Sequence, residues 1–185
     1  MEQIAHASRT EQVLSPWVTL VTHHVRFAGV PGVHQFHSIK QADYVTMFAV
    51  TADGKIPLIR QYRPALERFT LELPSGMLDT GERPAQAAIR ELLEETGLTA
   101  SSKVESLGCM APDSARLENR LWAFFTSGVS LEKSADWQPD PQLECLLVSR
   151  KEFKDMVLQG QFEHALHLAV ISQAVVRGLF SFNGT

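Results

Sequence analysis

The segment from Gly76 to Leu98, which reads GMLDTGERPAQAAIRELLEETGL, predicts a loop, a helix and a turn in that order. Pro84 suits the first turn of a helix, where a missing N–H costs no hydrogen bond. Gly97 suits the left-handed residue that follows the last turn. Together they predict a helix from about Pro84 to Thr96, and the bounds of a helix decide which of its side chains share a face.

The predicted helix has one apolar face and one acidic face. At about 100° per residue, one face collects Ala85, Ile89, Leu92, Leu93 and Thr96. Glu91, Glu94 and Glu95 fall within a roughly 100° arc on the other side, where like charges repel by a few tenths of a kcal/mol. Arg90 can neutralise one of them, and Glu82 in the preceding loop can add a fourth carboxylate. Two or three negative charges are therefore expected to remain without protein partners.

This group of carboxylates suits a hard divalent cation. Mg²⁺ and Mn²⁺ prefer oxygen ligands, and Mg²⁺ commonly combines one or two carboxylates with waters and a substrate phosphate. A solvated glutamate face is the ordinary alternative, and the spacing alone leaves both interpretations open.

The same residues resemble the complete Nudix box. Gly76 is followed by five residues, Glu82, seven residues and then Arg90-Glu91-Leu92-Leu93-Glu94-Glu95-Thr96-Gly97-Leu98. A match of this length at fixed spacing is far more specific than a lone glycine motif. The resemblance implies a divalent-cation-dependent hydrolase of nucleoside diphosphates linked to another moiety, on an α/β/α sandwich.

Charge and composition limit the classes of molecule that the chain is expected to bind. The chain has 185 residues, with 17 basic and 21 acidic side chains and a formal net charge of −4. No basic run is long enough to follow a nucleic-acid backbone. The N-terminal residues lack the parts of a signal peptide, and the longest apolar stretch, LHLAVISQAVV, is too short and too polar to span a bilayer. We expect a cytoplasmic protein with a small-molecule substrate and neither a nucleic-acid polymer nor a membrane as partner.

The order of predicted elements gives an α/β domain with an N-terminal strand module. Residues 1–14 are polar and aperiodic, which predicts a frayed or helical lead-in. The runs WVTLVTHHVRF and VHQFHSIK predict a β-hairpin, and DYVTMFAVT followed by KIPLIRQYR predicts another. We therefore divide the chain into a strand module at 1–42 and an α/β layered domain at 43–185 with mixed strands and three helices. The resemblance implies that the second is a Nudix hydrolase domain, an α/β/α sandwich with a mixed sheet, and that the first serves dimerisation and base binding.

Two segments outside the box resemble the ADP-ribose and ADP-sugar pyrophosphatase subfamily. Ile59–Pro64 reads IRQYRP and Leu71–Gly76 reads LELPSG. This resemblance implies ADP-ribose or another nucleoside diphosphate sugar as substrate. Arg63 matches the subfamily's phosphate-binding arginine and Arg60 is a second candidate, because a guanidinium fork meets two phosphate oxygens at once. A surface salt bridge is the alternative role for Arg63.

The resemblance also implies an adenine site and a dimer. In one member of the subfamily two tryptophans sandwich the adenine, and Trp17 and Phe36 stand at the matching positions. Ordinary strand packing is the alternative for both. Subfamily members exchange their N-terminal strands between subunits, and the apolar WVTLVTHHVRF run needs covering, so we expect a homodimer.

Family roles can be placed on the box by position. Glu91 and Glu95 are the implied metal ligands, with Glu94 on their flank and the Ser75 carbonyl as a further ligand. Glu82 is either another ligand or the partner of Arg90. For a general base after the box, the nearest carboxylates are Asp140 and Glu144, with Glu118 as another option. A base drawn from the box helix itself is the remaining alternative.

Several alternatives stay open. His164 and His167 are three apart on a predicted helix, but with no third metal ligand apparent in the sequence they are interpreted as surface or packing residues. The function could instead be a Nudix pyrophosphohydrolase for a dinucleoside polyphosphate or a modified nucleoside triphosphate, or a nucleotide-sugar sensor without catalysis. Sensors commonly lose box carboxylates, and this chain retains all of them.

Overall fold

The structure is a computed structural model that describes residues 4–100, 103–131, 137–138 and 140–183. In chain order the strands are β1 (Ile4–Ser15), β2 (Val18–Phe27), β3 (His34–Lys40), β4 (Tyr44–Thr51), β5 (Ile56–Arg63), β6 (Arg68–Glu72), β7 (Ser75–Met77), β8 (Leu98–Thr99), β9 (Glu105–Met110), β10 (Leu121–Leu131) and β11 (Leu143–Val148). The helices are α1 (Pro84–Thr96), α2 (Arg150–Leu158) and α3 (Ala165–Val176).

The chain divides into two compact units. One contains the described residues up to Asp43 together with Ala111–Arg120, and the other contains Tyr44–Met110 and the described residues from Leu121 onward. The sequence placed a boundary after residue 42 but gave no sign that Ala111–Arg120 joins the first unit. That segment is held by Ile39, whose N–H donates to the Arg116 carbonyl at 2.7 Å and whose carbonyl accepts from the Glu118 N–H at 3.0 Å.

The first unit contains a three-stranded antiparallel sheet in the order β1-β2-β3. The predicted hairpin of β2 and β3 is present, with His23 opposite Phe36. The predicted frayed or helical lead-in is wrong, because β1 pairs with β2 from Ile4 opposite Phe27 to Ser15 opposite Val18. Backbone hydrogen bonds to a neighbouring strand specify this element, so apolar alternation along β1 is not required.

The second unit is an α/β/α sandwich with a mixed sheet, as predicted. Strand β4 runs parallel to β10 and antiparallel to β7, and it is buried on both faces. Its side chains alternate between the two cores, as the two-residue period of a strand requires. Val45, Met47 and Ala49 pack in the core that includes α1. Phe48 and Val50 pack in the core that includes α2 and α3.

The predicted hairpin of β4 and β5 is wrong. The turn between them forms, with the Thr51 N–H donating to the Lys55 carbonyl at 2.8 Å and Gly54 at φ 81°. However, β4 pairs with β7 and β10, whereas β5 pairs with β6 and β11 in a separate three-stranded sheet. The local turn signal was correct, but strand pairing was decided by distant segments of the chain.

The helices follow their local signals. Helix α1 has the predicted bounds, and Gly97 ends it at φ 71° with its N–H on the Leu93 carbonyl at 2.8 Å. The spacing of Ser149 and Glu152 in the sequence predicts a capping box, and helix α2 begins with it. None of the helices in the described part of the chain is long and apolar enough to cross a membrane.

Candidate active site

Helix α1 buries Leu92 and Thr96 of the predicted apolar face together with two alanines that the prediction left out. Ala87, Ala88, Leu92 and Thr96 are buried, whereas Ile89 is 36% exposed. The prediction that Ile89 packs in the core is wrong, because the small Ala87 and Ala88 side chains lie against the sheet instead. In this orientation of the helix, Glu91 and Glu95 contact β7 and do not face the solvent as a purely acidic surface would.

Arg90 binds three carboxylates at once. Its Nε and Nη2 donate to the two oxygens of Glu82 at 3.1 and 3.0 Å, and its Nη1 donates to Glu91 at 2.7 Å and Glu94 at 3.0 Å. The expected ion pair of Arg90 with Glu94 is present, and the same single positive charge is shared with Glu82 and Glu91. Glu82 is the partner of Arg90 in this structure, and Glu94, at 57% exposure, faces the solvent side of the group.

Glu91 lies directly against Gly76. A Cβ built on Gly76 would lie 2.1 Å from Cδ and Oε1 of Glu91 and 2.3 Å from its Oε2. Burial raises the pKa of Glu91, the ion pair with Arg90 opposes this, and repulsion from Glu94 and Glu82 adds to it. Glycine is needed at position 76 because the Glu91 carboxylate takes up the room of a side chain.

Glu95 is the more buried of the two carboxylates. Its Oε2 accepts a hydrogen bond from the Ser75 N–H at 2.9 Å. Burial raises the pKa of Glu95 to about 8, with repulsion from Glu91 and Glu72 adding to the effect and the Ser75 N–H opposing it. Among the described residues no cationic side chain forms an ion pair with Glu95. A bound divalent cation would offset the repulsion between two neighbouring carboxylates and the cost of burying their charges. This donor set therefore fits Mg²⁺ or Mn²⁺.

Arg63 is held in place by a buried glutamate. Its Nε and Nη2 donate to the two oxygens of Glu72 at 2.7 and 2.6 Å, and the Thr70 hydroxyl donates to the same carboxylate at 2.7 Å. Glu72 is 1% exposed whereas Arg63 is 44% exposed. A guanidinium has five N–H groups and this fork uses two of them, so the outer edge of Arg63 can donate to a phosphate.

Arg63, Glu72, Ser75 and Gly76 line a cavity of about 350 Å³ in the second unit. Its lining includes Tyr44, Gln61, Arg63, Glu72, Ser75, Gly76, Met77, His164 and His167. Burial raises the pKa of the Tyr44 hydroxyl, with the charge of Arg63 opposing the rise. The cavity therefore brings the Arg63 guanidinium together with Ser75 and Gly76, the β7 residues that contact Glu95 and Glu91.

Two histidines that the sequence did not assign to a site also line this cavity. The rings of His164 and His167 stack with centroids 3.8 Å apart, and each could offer a ligand atom within 4.8 Å of a Glu72 oxygen. Those atoms are already used, since Glu72 binds Arg63 and Thr70, and both ring nitrogens of His167 have hydrogen-bond partners. We do not assign a metal to this group.

Arg60 and Glu144 pair with each other. Arg60 Nη1 donates to Glu144 Oε2 at 3.0 Å, and the two residues are direct neighbours on β5 and β11. Side chains alternate along a strand, so Arg60 lies on the opposite face of β5 from Arg63. The roles predicted for Arg60 and Glu144 stay predictions, and this ion pair does not support Glu144 as the general base.

The other two candidate bases are also engaged. Asp140 accepts from the Gln142 N–H at 2.8 Å in a turn. Glu118 belongs to the first unit and binds Ser38 at 2.5 Å, Arg9 at 2.9 Å and His23 at 3.0 Å. Hydrogen bonds from Ser38 and His23 and the charge of Arg9 lower the pKa of Glu118 despite some burial.

Trp17 and Phe36 are exposed but do not lie together in one chain. Trp17 is 65% exposed in the turn before β2, and Phe36 is 49% exposed on β3 opposite His23. Phe36 lies beside His23, which follows Trp17 by six residues along the chain. At about 3.3 Å per residue, the Trp17 and Phe36 rings are separated by roughly 20 Å along the sheet. A base held between them would need one ring from each of two chains.

Comparison with known proteins places the fold. The family model described as the NUDIX domain matches residues 40–165. An ADP-ribose pyrophosphatase of Bacillus subtilis is 32% identical over 120 residues, which cover 64% of each chain. An ADP-ribose pyrophosphatase of Saccharomyces cerevisiae is 34% identical over 137 residues, which cover 69% of this chain and 58% of the relative. The chain thus matches less than two thirds of the length of these relatives.

A solved structure has a similar fold. The crystal structure of an ADP compounds hydrolase superposes with a TM-score of 0.78 over 96% of this chain and 94% of the other, at 21% identity. At that identity the likeness concerns the fold. The family match spans more than half of the chain and includes every residue of the box on α1 and β7. The chain belongs to the NUDIX family.

Proposed function

We propose that this protein hydrolyses the diphosphate of ADP-ribose or another nucleoside diphosphate sugar to a nucleoside monophosphate and a sugar phosphate. The observation that carries the proposal is one cavity lined by Arg63 and by Ser75 and Gly76, the two residues against which the partly buried box carboxylates Glu95 and Glu91 lie. The relatives named as ADP-ribose pyrophosphatases support the choice of substrate.

A divalent cation, Mg²⁺ or Mn²⁺, would be held by Glu91 and Glu95 and the carbonyl of Ser75, with Glu94 and Glu82 beside them. Such a cation supplies neutralisation of the diphosphate charge and activation of water. Glu91 and Glu95 would hold it as carboxylates, whose ionised forms burial otherwise opposes.

The protein's own groups position the substrate. Arg63 offers N–H groups to the diphosphate oxygens while Glu72 fixes the plane of its guanidinium. Arg90 holds the carboxylates of Glu82, Glu91 and Glu94 together, so it acts by organising the site. Glu94 is 57% exposed on the box helix and one of its oxygens is paired with Arg90, so its other oxygen could accept a proton from water.

We propose in addition that the first unit forms a homodimer and binds the base. Strand β1 is a twelve-residue edge strand, and Ile4, Val13, Leu14, Trp17 and Phe36 are exposed on this unit. Long edge strands and exposed apolar side chains mark surfaces that pair with other chains. A dimer would also bring a Trp17 and a Phe36 from different subunits to one base. A cytoplasmic location stays a prediction from the sequence.

A substrate panel tests the activity. The protein should be incubated with Mg²⁺ or Mn²⁺ and ADP-ribose, ADP-glucose, a dinucleoside polyphosphate or an oxidised nucleoside triphosphate, and the products separated by chromatography. We expect AMP and a sugar phosphate from the diphosphate sugars. Turnover of a triphosphate without turnover of any diphosphate sugar would contradict the proposal. Binding of ADP-ribose without cleavage at saturating cation would indicate a sensor instead.

A further inference from the structure

One buried ring connects α3 to the strand beside the box helix. His167 is 3% exposed, and its Nδ1 accepts the Leu73 N–H at 3.0 Å. Its Nε2 lies 3.1 Å from the Ser75 hydroxyl. The Ser75 N–H in turn donates to Glu95 Oε2 at 2.9 Å. The connection therefore runs from His167 through Ser75 to a box carboxylate.

The hydrogen-bond donors and acceptors of this group fix the tautomer of the ring. Because Nδ1 accepts an N–H, the proton of the neutral imidazole is on Nε2, which donates to the Ser75 oxygen. The Ser75 hydroxyl donates to the Leu73 carbonyl at 2.8 Å, so Thr46, whose hydroxyl lies 3.0 Å away, donates to Ser75.

We propose that His167 is a positioning residue for Glu95, acting through Ser75. The ring holds two alternate residues of the segment that leads into β7, the Leu73 amide and the Ser75 side chain. The contact with the Ser75 hydroxyl fixes the residue whose N–H donates to Glu95, and the contact with Leu73 anchors the segment before it. His167 lies beyond residues 40–165, so the family match does not include it.

The role rests on the proposed function, since Glu95 is positioned for a cation that serves diphosphate hydrolysis. Groups that orient a metal ligand typically change metal affinity by about 10–100-fold when removed. The expected consequence is a weaker cation site in a chain that still folds.

Two substitutions of His167 separate its two hydrogen bonds. His167→Asn retains an acceptor at the position of Nδ1 and removes the donor to Ser75. His167→Gln retains a donor at the position of Nε2 and removes the acceptor for Leu73. Ser75→Ala removes the hydroxyl that the donor reaches, and Val176→Ala, at an exposed site of the same helix, is the matched control.

The primary measurement is the Kd for Mn²⁺ without nucleotide, from electron paramagnetic resonance, together with the Tm of each variant. We expect His167→Asn and Ser75→Ala each to raise this Kd about tenfold. The double variant should raise it no further, because the two substitutions remove the same hydrogen bond between His167 and Ser75. His167→Gln should stay within about threefold of wild type. Mn²⁺ affinity responds to the site itself, whereas a structural role would lower Tm alone.

The outcomes distinguish this inference from the proposed function. Equal Mn²⁺ affinity in wild type, His167→Asn and Ser75→Ala would overturn it, as would additive effects in the double variant or an absence of Mn²⁺ binding by the wild type. If the wild type binds Mn²⁺ and the variants follow the expected pattern but no diphosphate sugar is cleaved, the positioning role stands and the proposed activity fails.

Discussion

The carboxylate of Glu91 occupies the space that a side chain at Gly76 would need, with a Cβ at that position only 2.1 Å from Glu91 Cδ. The backbone of Gly76 belongs to β7, and Glu91 belongs to α1, so this contact sets the separation of the two elements that form the box. It explains why the first box position is glycine without any need for an unusual backbone conformation.

This contact predicts an unusual profile for Gly76→Ala. The colliding atoms are the end of a flexible side chain, so Glu91 can rotate away at a cost of about 1 kcal/mol or less in the free energy of unfolding. Moving a metal-binding carboxylate should nevertheless lower kcat at least about tenfold. Urea unfolding and steady-state kinetics measure the two effects. Loss of stability in proportion to activity would contradict a displacement confined to Glu91.

The ion pair of Glu72 and Arg63 predicts an acid-sensitive stability. Burial raises the pKa of Glu72, but hydrogen bonds from Arg63 and Thr70 and the charge of Arg63 outweigh it, so the pKa lies below its usual 4.5. The unfolded chain then binds the proton first as the pH falls. The stability from Glu72 is present above pH 4.5 and is lost as the pH falls below 4.5 toward the folded pKa.

Urea unfolding at several pH values below 4.5 checks this prediction. The free energy of unfolding of wild type should fall more steeply with decreasing pH than that of Glu72→Gln, by up to about 1.4 kcal/mol per pH unit. Glu144→Gln, which removes an exposed glutamate from the other face of the same sheet, is the control. Parallel curves for wild type and Glu72→Gln would contradict the assignment.

Trp17→Ala tests the base site of the first unit. Stacking of an aromatic ring on a base is worth roughly 1–3 kcal/mol, so its loss should raise KM for ADP-ribose more than it lowers kcat. Phe36→Ala should have the same signature if the two rings hold one base across a dimer. Sedimentation velocity gives the oligomeric state of each variant. A fall in kcat with unchanged KM would exclude a binding role for Trp17.

The sequence predicted features whose causes are local. Pro84 and Gly97 set the ends of α1, and Ser149 with Glu152 set the start of α2, because caps depend on a few neighbouring residues. The box spacing identified the family for the same reason. The pairing of β4 was not predictable from its neighbours, since its partners are β7 and β10.

The missed site residues depend on long-range contacts. Glu72 interrupts an apolar stretch in LELP, and a charged residue there was a readable sign of a buried ion pair with Arg63. His167 gave no such sign, because its partners Leu73 and Ser75 are more than ninety residues away. The pattern of α1 also misplaced Ile89, whose exposure follows from how the small Ala87 and Ala88 let the helix approach the sheet.

The most direct test of the account is the rate of ADP-ribose hydrolysis by Glu95→Gln across a range of Mg²⁺ concentrations. Glutamine keeps the shape of Glu95 and an acceptor for the Ser75 N–H but removes the charge, and Glu105→Gln, on β9 away from the box, is the control. The account predicts AMP release by wild type and Glu105→Gln, and a kcat at least about a hundredfold lower for Glu95→Gln with its fold intact. A rate for Glu95→Gln within a few fold of wild type at saturating Mg²⁺ would contradict it.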